Sequence, residues 1–316
     1  MSVTNVFSKR LLILGWHNVE GTWCFQSGQG QGTRGMAKQF RFLRRYANVV
    51  DLADAVSALR AGRRLPPRAV AITFDDGYRD NLDIAIPILE EYGLPATFFL
   101  VPDFLSGELT PWWERLAWAV QNTKRTTVRF GEDDLDLTGD ASGPTYVRIC
   151  EEVKRRTQEQ RLATIDTLVD ELAPAGAFDA SKLMLDWDGA AAIVRRGFAI
   201  GSHSMDHCIL ANESIEAQYS NLSTSRQLLA DTLDTNVRLL AYPNGTERDF
   251  TGHTIAASTE AGFEHAVTTI DGWNEPTAIP FELRRFVVYP EYGVKGVAGP
   301  PVRHAARTGR AKLSTG

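Results

Sequence analysis

The 316-residue sequence contains no run of about 18 apolar residues, so no segment of it reads as a membrane-spanning helix. Near the start, only Leu11 to Trp16 is continuously apolar, and no small-residue cleavage site follows it. That stretch is expected to be a buried first strand rather than a signal peptide, with a cytoplasmic location as the corollary. Cysteine is scarce: Cys24, Cys150 and Cys208 are odd in number and lack CxxC spacing, which argues against a disulfide framework and for reduced thiols. An excess of charge is missing too. With 34 Lys and Arg against 39 Asp and Glu, the formal net charge is −5, and nothing in it points to nucleic acid. Histidine is equally sparse, at six residues, which makes the placement of each informative.

What is present is an ordinary globular composition, 43% hydrophobic and 23% charged. Short apolar runs recur at Leu11–Trp16, Val70–Phe74, Ala96–Val101, Phe198–Ser202, Arg238–Tyr242, His265–Thr268 and Arg284–Val288. Their length and β-branched or aromatic content predict strands. Amphipathic stretches separate many of them, including Asn81–Tyr92, closed by Gly93, and Ser214–Leu233. Strands alternating with helices imply parallel pairing through right-handed crossovers, hence an α/β barrel or a wide sheet.

One region departs from this rhythm. Residues from about 103 to 180 hold a tryptophan-rich helix over Pro111–Val120 and a polar, acidic stretch, GEDDLDLTGDASGP. A long helix follows, with Leu162, Ile165, Leu168, Val169 and Leu172 on one face. This reads as an insertion beside the barrel mouth. Its Trp112, Trp113 and Trp118 suit either core packing or stacking on sugars; packing is favoured for Trp113, while Trp112 is left open. Trp187 reads as packing. The last residues, 299–316, carry no acidic side chain and are expected to form a loose tail.

Three segments could carry chemistry. Thr73-Phe74-Asp75-Asp76-Gly77 ends a strand in two adjacent carboxylates, at the strand end where α/β folds place their active sites. Two carboxylates cannot both ionise cheaply in a partly buried site, and a cation would relieve them by binding one and leaving the other as a base. The same residues also read as a turn and helix cap. His203-Ser204-Met205-Asp206-His207 follows another strand, and two histidines four apart can face one ion, on a helical turn or in a loop entering a helix. A third strand runs into Tyr242-Pro243-Asn244-Gly245, whose backbone N–H groups could face an oxyanion or simply form a turn.

Together these motifs resemble the polysaccharide deacetylase family, the carbohydrate esterases with a NodB homology domain. Its TFDDG motif matches Thr73–Gly77, its HSxxH motif His203–His207, and its FAYPxG variant Leu240–Gly245. Flanking similarities include Gly15-Trp16-His17, Pro95–Phe99 and Leu185-Asp186-Trp187. The resemblance implies a distorted (β/α)7 barrel, a single NodB-like domain over residues 1–298 interrupted by the 103–180 insertion. It implies metal-dependent removal of N-acetyl groups from the amino sugars of a polysaccharide or glycan precursor. Asp76, His203 and His207 would hold a divalent metal, zinc foremost. Asp75 would be the general base, and the backbone N–H of Asn244 an oxyanion donor. The implied partner is a carbohydrate, with no nucleic acid; oligomeric state is left open.

Departures from the family pattern are equally specific. The usual histidine of the last motif is absent from Leu283–Tyr289, leaving His17, or more distantly His253 or His265, to protonate the leaving amine. For His17 a buried structural role is as plausible; for His253 and His265 a structural role is favoured. The DxxDW motif survives only as Asp271-Gly272-Trp273. Ala241 stands where other subgroups carry arginine, and Arg285 is a candidate for the missing contact to Asp75. Two alternatives follow: a related hydrolase of deformylase or cyclic-amide type, and a carbohydrate-binding pseudoenzyme, against which the intact Asp75, Asp76, His203 and His207 argue.

Overall fold

A computed structural model describes residues 10–299 and 301. β1 (Leu11–Trp16) leads through α1 (Gln31–Tyr46), the short β2 (Asn48–Val49) and α2 (Leu52–Arg60) to β3 (Ala69–Phe74). A π-helical turn, Asn81–Ala85, opens into α3 (Ile86–Tyr92), which ends at Gly93 in the left-handed conformation (φ 60°) before β4 (Thr97–Leu100). Next come α4 (Pro102–Ser106), α5 (Trp112–Asn122), the pair β5 (Thr127–Phe130) and β6 (Asp133–Asp136), α6 (Ser142–Val153) and α7 (Gln158–Leu172). α8 (Trp187–Arg195) returns the chain to β7 (Ala199–Ser202). The remainder alternates α9 (Ile215–Leu233), β8 (Leu239–Ala241), α10 (Gly252–Glu260) and β9 (His265–Val267), then reaches β10 (Phe286–Val287) without an intervening helix.

The main sheet runs in the order β10-β1-β3-β4-β7-β8-β9, with every neighbour parallel and β2 paired to the start of β3. It curls into the expected distorted barrel. A single parallel bridge, Val267 to Leu283, closes the seam just before β10. Side chains alternate across β1: Leu11 and Ile13 pack with Ala71, Phe99, Val267 and the apolar face of α2, while Leu12, Leu14 and Trp16 pack under the outer helices. A strand buried on both faces reads as a continuous apolar run, which is why these segments are legible in the sequence.

The chain between β4 and β7 builds a second apolar cluster, in which Phe104, Trp113, Leu116, Val128, Leu135, Ile149, Ile165 and Leu168 pack with Tyr78 from the segment after β3. The acidic stretch, to which the sequence reading assigned no element, carries β6 of an antiparallel hairpin and leads into α6. Val128 and Leu135 of the hairpin strands are buried and Phe130 is half-buried against the same cluster; the acids of Asp133–Asp136 face water, so composition masks the alternation. At the other end, where a loose tail is expected from 299, residues 294–299 and 301 are helical. Val297 holds this segment by packing into the main core. The rest of that tail lies outside the described residues.

Candidate active site

All strands of the barrel point the same way, so the residues that follow them meet at one rim. His17 follows β1, Asp75 and Asp76 follow β3, His203 follows β7, Tyr242 and Asn244 follow β8, and Thr269 lies just beyond β9. Together with Cys24, Phe25, Trp112, Trp113, the α6 residues Tyr146, Val147, Cys150 and Glu151, and Lys154 just beyond α6, they enclose a cavity of about 250 Å³.

Local backbone conformation aims these groups. Among the described residues, seven that are not glycine have positive φ, and four of them are Asp76, Ser204, His207 and Asn244. Strained conformations gather where function fixes a side chain, although Asp, Asn and His tolerate this region better than most residues. The His203–His207 segment is therefore a loop, not a helical turn. It is braced by Asn221 of α9, which accepts from the Met205 N–H (2.8 Å) and donates to Asp206 (2.8 Å). Asp206 in turn accepts from the Cys208 N–H (3.0 Å).

The Nε2 atoms of His203 and His207 each lie 3.3 Å from the same Asp76 oxygen, Oδ1. That oxygen is buried and has no hydrogen-bond donor. His203 Nδ1 lies 2.7 Å from the Ala241 carbonyl, a partner that requires Nδ1 to carry the proton, so that in the neutral ring Nε2 is the atom available to a metal. Two imidazole nitrogens and one carboxylate oxygen within 4.8 Å of one another, all buried, form a donor set that fits a divalent cation. Burial opposes ionisation of Asp76, yet its contacts with His203 and His207 hold its carboxyl well below the usual range.

Beside this cluster, Asp75 is locked by Arg285. The two guanidinium nitrogens donate to the two carboxylate oxygens at 2.7 and 2.6 Å, and both residues are buried. Arg285 also donates to Thr73 Oγ1 (3.1 Å) and to the Thr268 carbonyl (3.1 Å). Burial raises the cost of the Asp75 charge, but the Arg285 cation, with His203 nearby, outweighs it and keeps the carboxyl below its ordinary value. Gly15 makes room for this pair: a Cβ there would sit 2.8 Å from Arg285 Cδ. His17 Nε2 is 3.9 Å from Asp75 Oδ2 and is partly open to the cavity.

Asn244 lines the cavity with φ 57°, and its N–H makes no hydrogen bond among the described residues. Thr269 donates to its carbonyl (2.6 Å) and fixes the turn. His253 is exposed on α10, and His265 sits at the start of β9, the far end of the barrel, so neither reaches the cavity. Trp273 packs on the outer core rather than at the rim.

Several lining residues escaped the sequence reading. Trp113, expected as core, is buried but also forms a wall, its ring centroid 4.6 Å from that of His207. Trp112 lines the cavity with its indole N–H unpartnered, while Trp118 packs on Phe178. Behind them, the buried Glu114 accepts from Thr22 Oγ1 (2.7 Å), the Cys24 N–H (3.0 Å) and the Tyr78 hydroxyl (2.9 Å). Tyr78 in turn accepts from Trp113 Nε1 (2.9 Å). Burial pushes the Glu114 carboxyl up, against those three hydrogen bonds. No sequence signal marks Glu114, since a lone acid in an apolar helix looks like a solvent-facing residue.

A family model described as polysaccharide deacetylase matches residues 62–124 and 143–266, more than half of the chain. Poly-β-1,6-N-acetyl-D-glucosamine N-deacetylase of Escherichia coli K12 is 36% identical over 86 residues, 27% of this chain and only 13% of that protein. The putative polysaccharide deacetylase YxkH of Bacillus subtilis is 22% identical over 78% of this chain and 60% of its own length. Among solved structures, the Streptococcus pyogenes deacetylase PplD in complex with acetate superposes with a TM-score of 0.61, covering 92% of this chain and 97% of that one at 16% identity. That likeness establishes a shared fold.

Proposed function

The chain belongs to the polysaccharide deacetylase family, and on that premise we propose that it hydrolyses N-acetyl groups from the amino sugars of a polysaccharide or glycan precursor. The observation that carries the reading is the convergence of Asp76, His203 and His207 beside an Arg285-clamped Asp75, at one barrel rim. A divalent ion held by those three residues, zinc by the nature of its donors, would supply positive charge that polarises the amide carbonyl and acidifies water.

The protein's own groups then divide the remaining work. Asp75, kept ionised and oriented by Arg285, takes the proton from the attacking water. The new C–O bond forms as charge builds on the carbonyl oxygen, towards which the free Asn244 N–H donates. His17, which lines the cavity with Nε2 3.9 Å from Asp75, passes a proton to the nitrogen as the C–N bond breaks, releasing acetate and an amine. Trp112, Trp113 and Phe25 line the cavity and exclude water around the acetyl group.

A pair of variants tests this division. Asp75→Asn should abolish acetate release from N-acetylglucosamine oligomers while the protein still binds one metal equivalent, and Asp76→Asn should lose the metal. Metal loss in Asp75→Asn would mean the two carboxylates have the opposite roles.

A further inference from the structure

His17 hangs from a loop rather than from the barrel wall. The β1 ladder ends at Trp16, whose carbonyl accepts from the Asp75 N–H (2.9 Å). Beyond it, the imidazole makes no hydrogen bond among the described residues; Asp75 is 3.9 Å away, and 25% of the side chain is exposed. Two adjacent side chains from the segment after β3 fix this loop. Asp80 Oδ2 accepts from the N–H groups of both Val19 (2.8 Å) and Glu20 (2.9 Å). Asn81 Nδ2 donates to the His17 carbonyl (2.7 Å) and to Asp80 Oδ1 (3.2 Å).

We propose that Asp80 and Asn81 are positioning residues for His17, holding the backbone from which its imidazole protonates the leaving amine. This rests on the deacetylase reading above. Three features set the clamp apart from an ordinary turn. Asn81 is fully buried and leaves its own Oδ1 without a partner, so its amide is oriented by the His17 carbonyl at the cost of an unpaired acceptor. Burial pushes the Asp80 carboxyl up to about 6 against the pull of its two N–H donors, so a charge that is costly to bury sits under this loop. Asn81 also opens the π-helical turn Asn81–Ala85, a rare local form that gathers at functional sites.

The loop is held from its other side as well. Glu20 Oε1 accepts from the Thr33 N–H (2.8 Å) and from the Thr33 hydroxyl of α1. Gly32 lets α1 close on the loop: a Cβ there would sit 1.6 Å from the Val19 carbonyl oxygen. Asp75 lies on the same segment as the clamp, so the base and the acid are set against each other through residues 75–81. A group oriented in advance contributes to kcat before KM.

The test compares two substrates of the zinc-loaded protein. An N-acetylglucosamine trimer expels a basic amine that must be protonated as it leaves, whereas 4-nitrophenyl acetate expels a phenolate that needs no proton. Asp80→Ala should lower kcat for acetate release from the trimer by about tenfold or more with KM little changed, while chelator-sensitive hydrolysis of 4-nitrophenyl acetate stays within about twofold of native. Asp80→Asn, whose amide oxygen can still accept from both N–H groups, should recover most of the trimer rate. Imidazole NMR reads the positioning itself: the His17 signal, identified by its loss in His17→Gln, should shift or broaden in Asp80→Ala and return in Asp80→Asn. An unchanged trimer rate in Asp80→Ala, an equal fall on both substrates, or an unmoved His17 signal would overturn the clamp. A moved signal without acetate release from the native protein at any metal loading would instead overturn the deacetylase reading and leave the clamp standing.

Discussion

Arg285 and Asp75 form a two-pronged ion pair, 2.7 and 2.6 Å, sealed inside the barrel rim. An unpaired buried charge is costly, so removing one partner should be felt throughout the protein. Arg285→Met is expected to lose about 3–5 kcal/mol of stability, read by denaturant unfolding. Arg285→Lys keeps the charge but not the paired geometry, and should recover part of the stability while remaining poorly active. Equal activity in Arg285→Lys and the native protein would show that orientation of Asp75 is not critical.

Gly15 offers a more selective probe of the same pair. In Gly15→Ala the new methyl would displace the Arg285 side chain without removing any charge. We expect kcat to fall by about tenfold or more with KM little changed, because orientation of the base rather than sugar binding is disturbed. Steady-state kinetics on one oligomer decides it; a change confined to KM would place the effect elsewhere.

Glu114 joins three segments through its hydrogen bonds to Thr22, Cys24 and Tyr78. In Glu114→Gln the amide nitrogen cannot accept, leaving at least one buried donor unpaired at a cost of about 1–3 kcal/mol. Because the network ends on Trp113, which packs against His207, metal affinity should fall as well. A metal titration of Glu114→Gln matching the native protein would confine Glu114 to a stabilising role.

His265 makes stability depend on pH. Burial, with Arg60 nearby, lowers its pKa to about 4, and neither ring nitrogen has a partner. The folded protein therefore keeps this ring neutral while the unfolded chain binds a proton near the ordinary value of about 6.5. Its contribution is complete above that value and is lost as pH falls towards 4, a swing on the order of 3 kcal/mol. His265→Leu should flatten the stability profile between pH 6.5 and 4. An unchanged slope would assign the acid sensitivity to other groups.

The strands and the motifs were legible because each rests on a short local pattern. A doubly buried strand must be apolar throughout, and Asp75, Asp76, His203, His207 and Asn244 each follow such a run within a few residues. Arg285, more than 200 residues from Asp75, was a candidate only because Ala241 stands where other subgroups carry arginine; the contact follows from barrel closure, which pairs β10 with β1. Glu114 and Trp113 were not legible as site residues. Their places depend on how α5 packs beside the loop that follows β7, where Trp113 meets His207, and helical periodicity reports which face is buried but not against what. The hairpin β5–β6 was missed because its inward face amounts to Val128, Leu135 and a half-buried Phe130, set among exposed acids.

The central claim is hydrolysis at the Asp76, His203 and His207 cluster. Its most direct measurement is acetate release from an N-acetylglucosamine oligomer by the native protein, after chelation and after reloading with zinc. Release should vanish on chelation and return with the metal, in proportion to one equivalent bound. Full activity in the metal-free protein, or none at any metal loading, would contradict it.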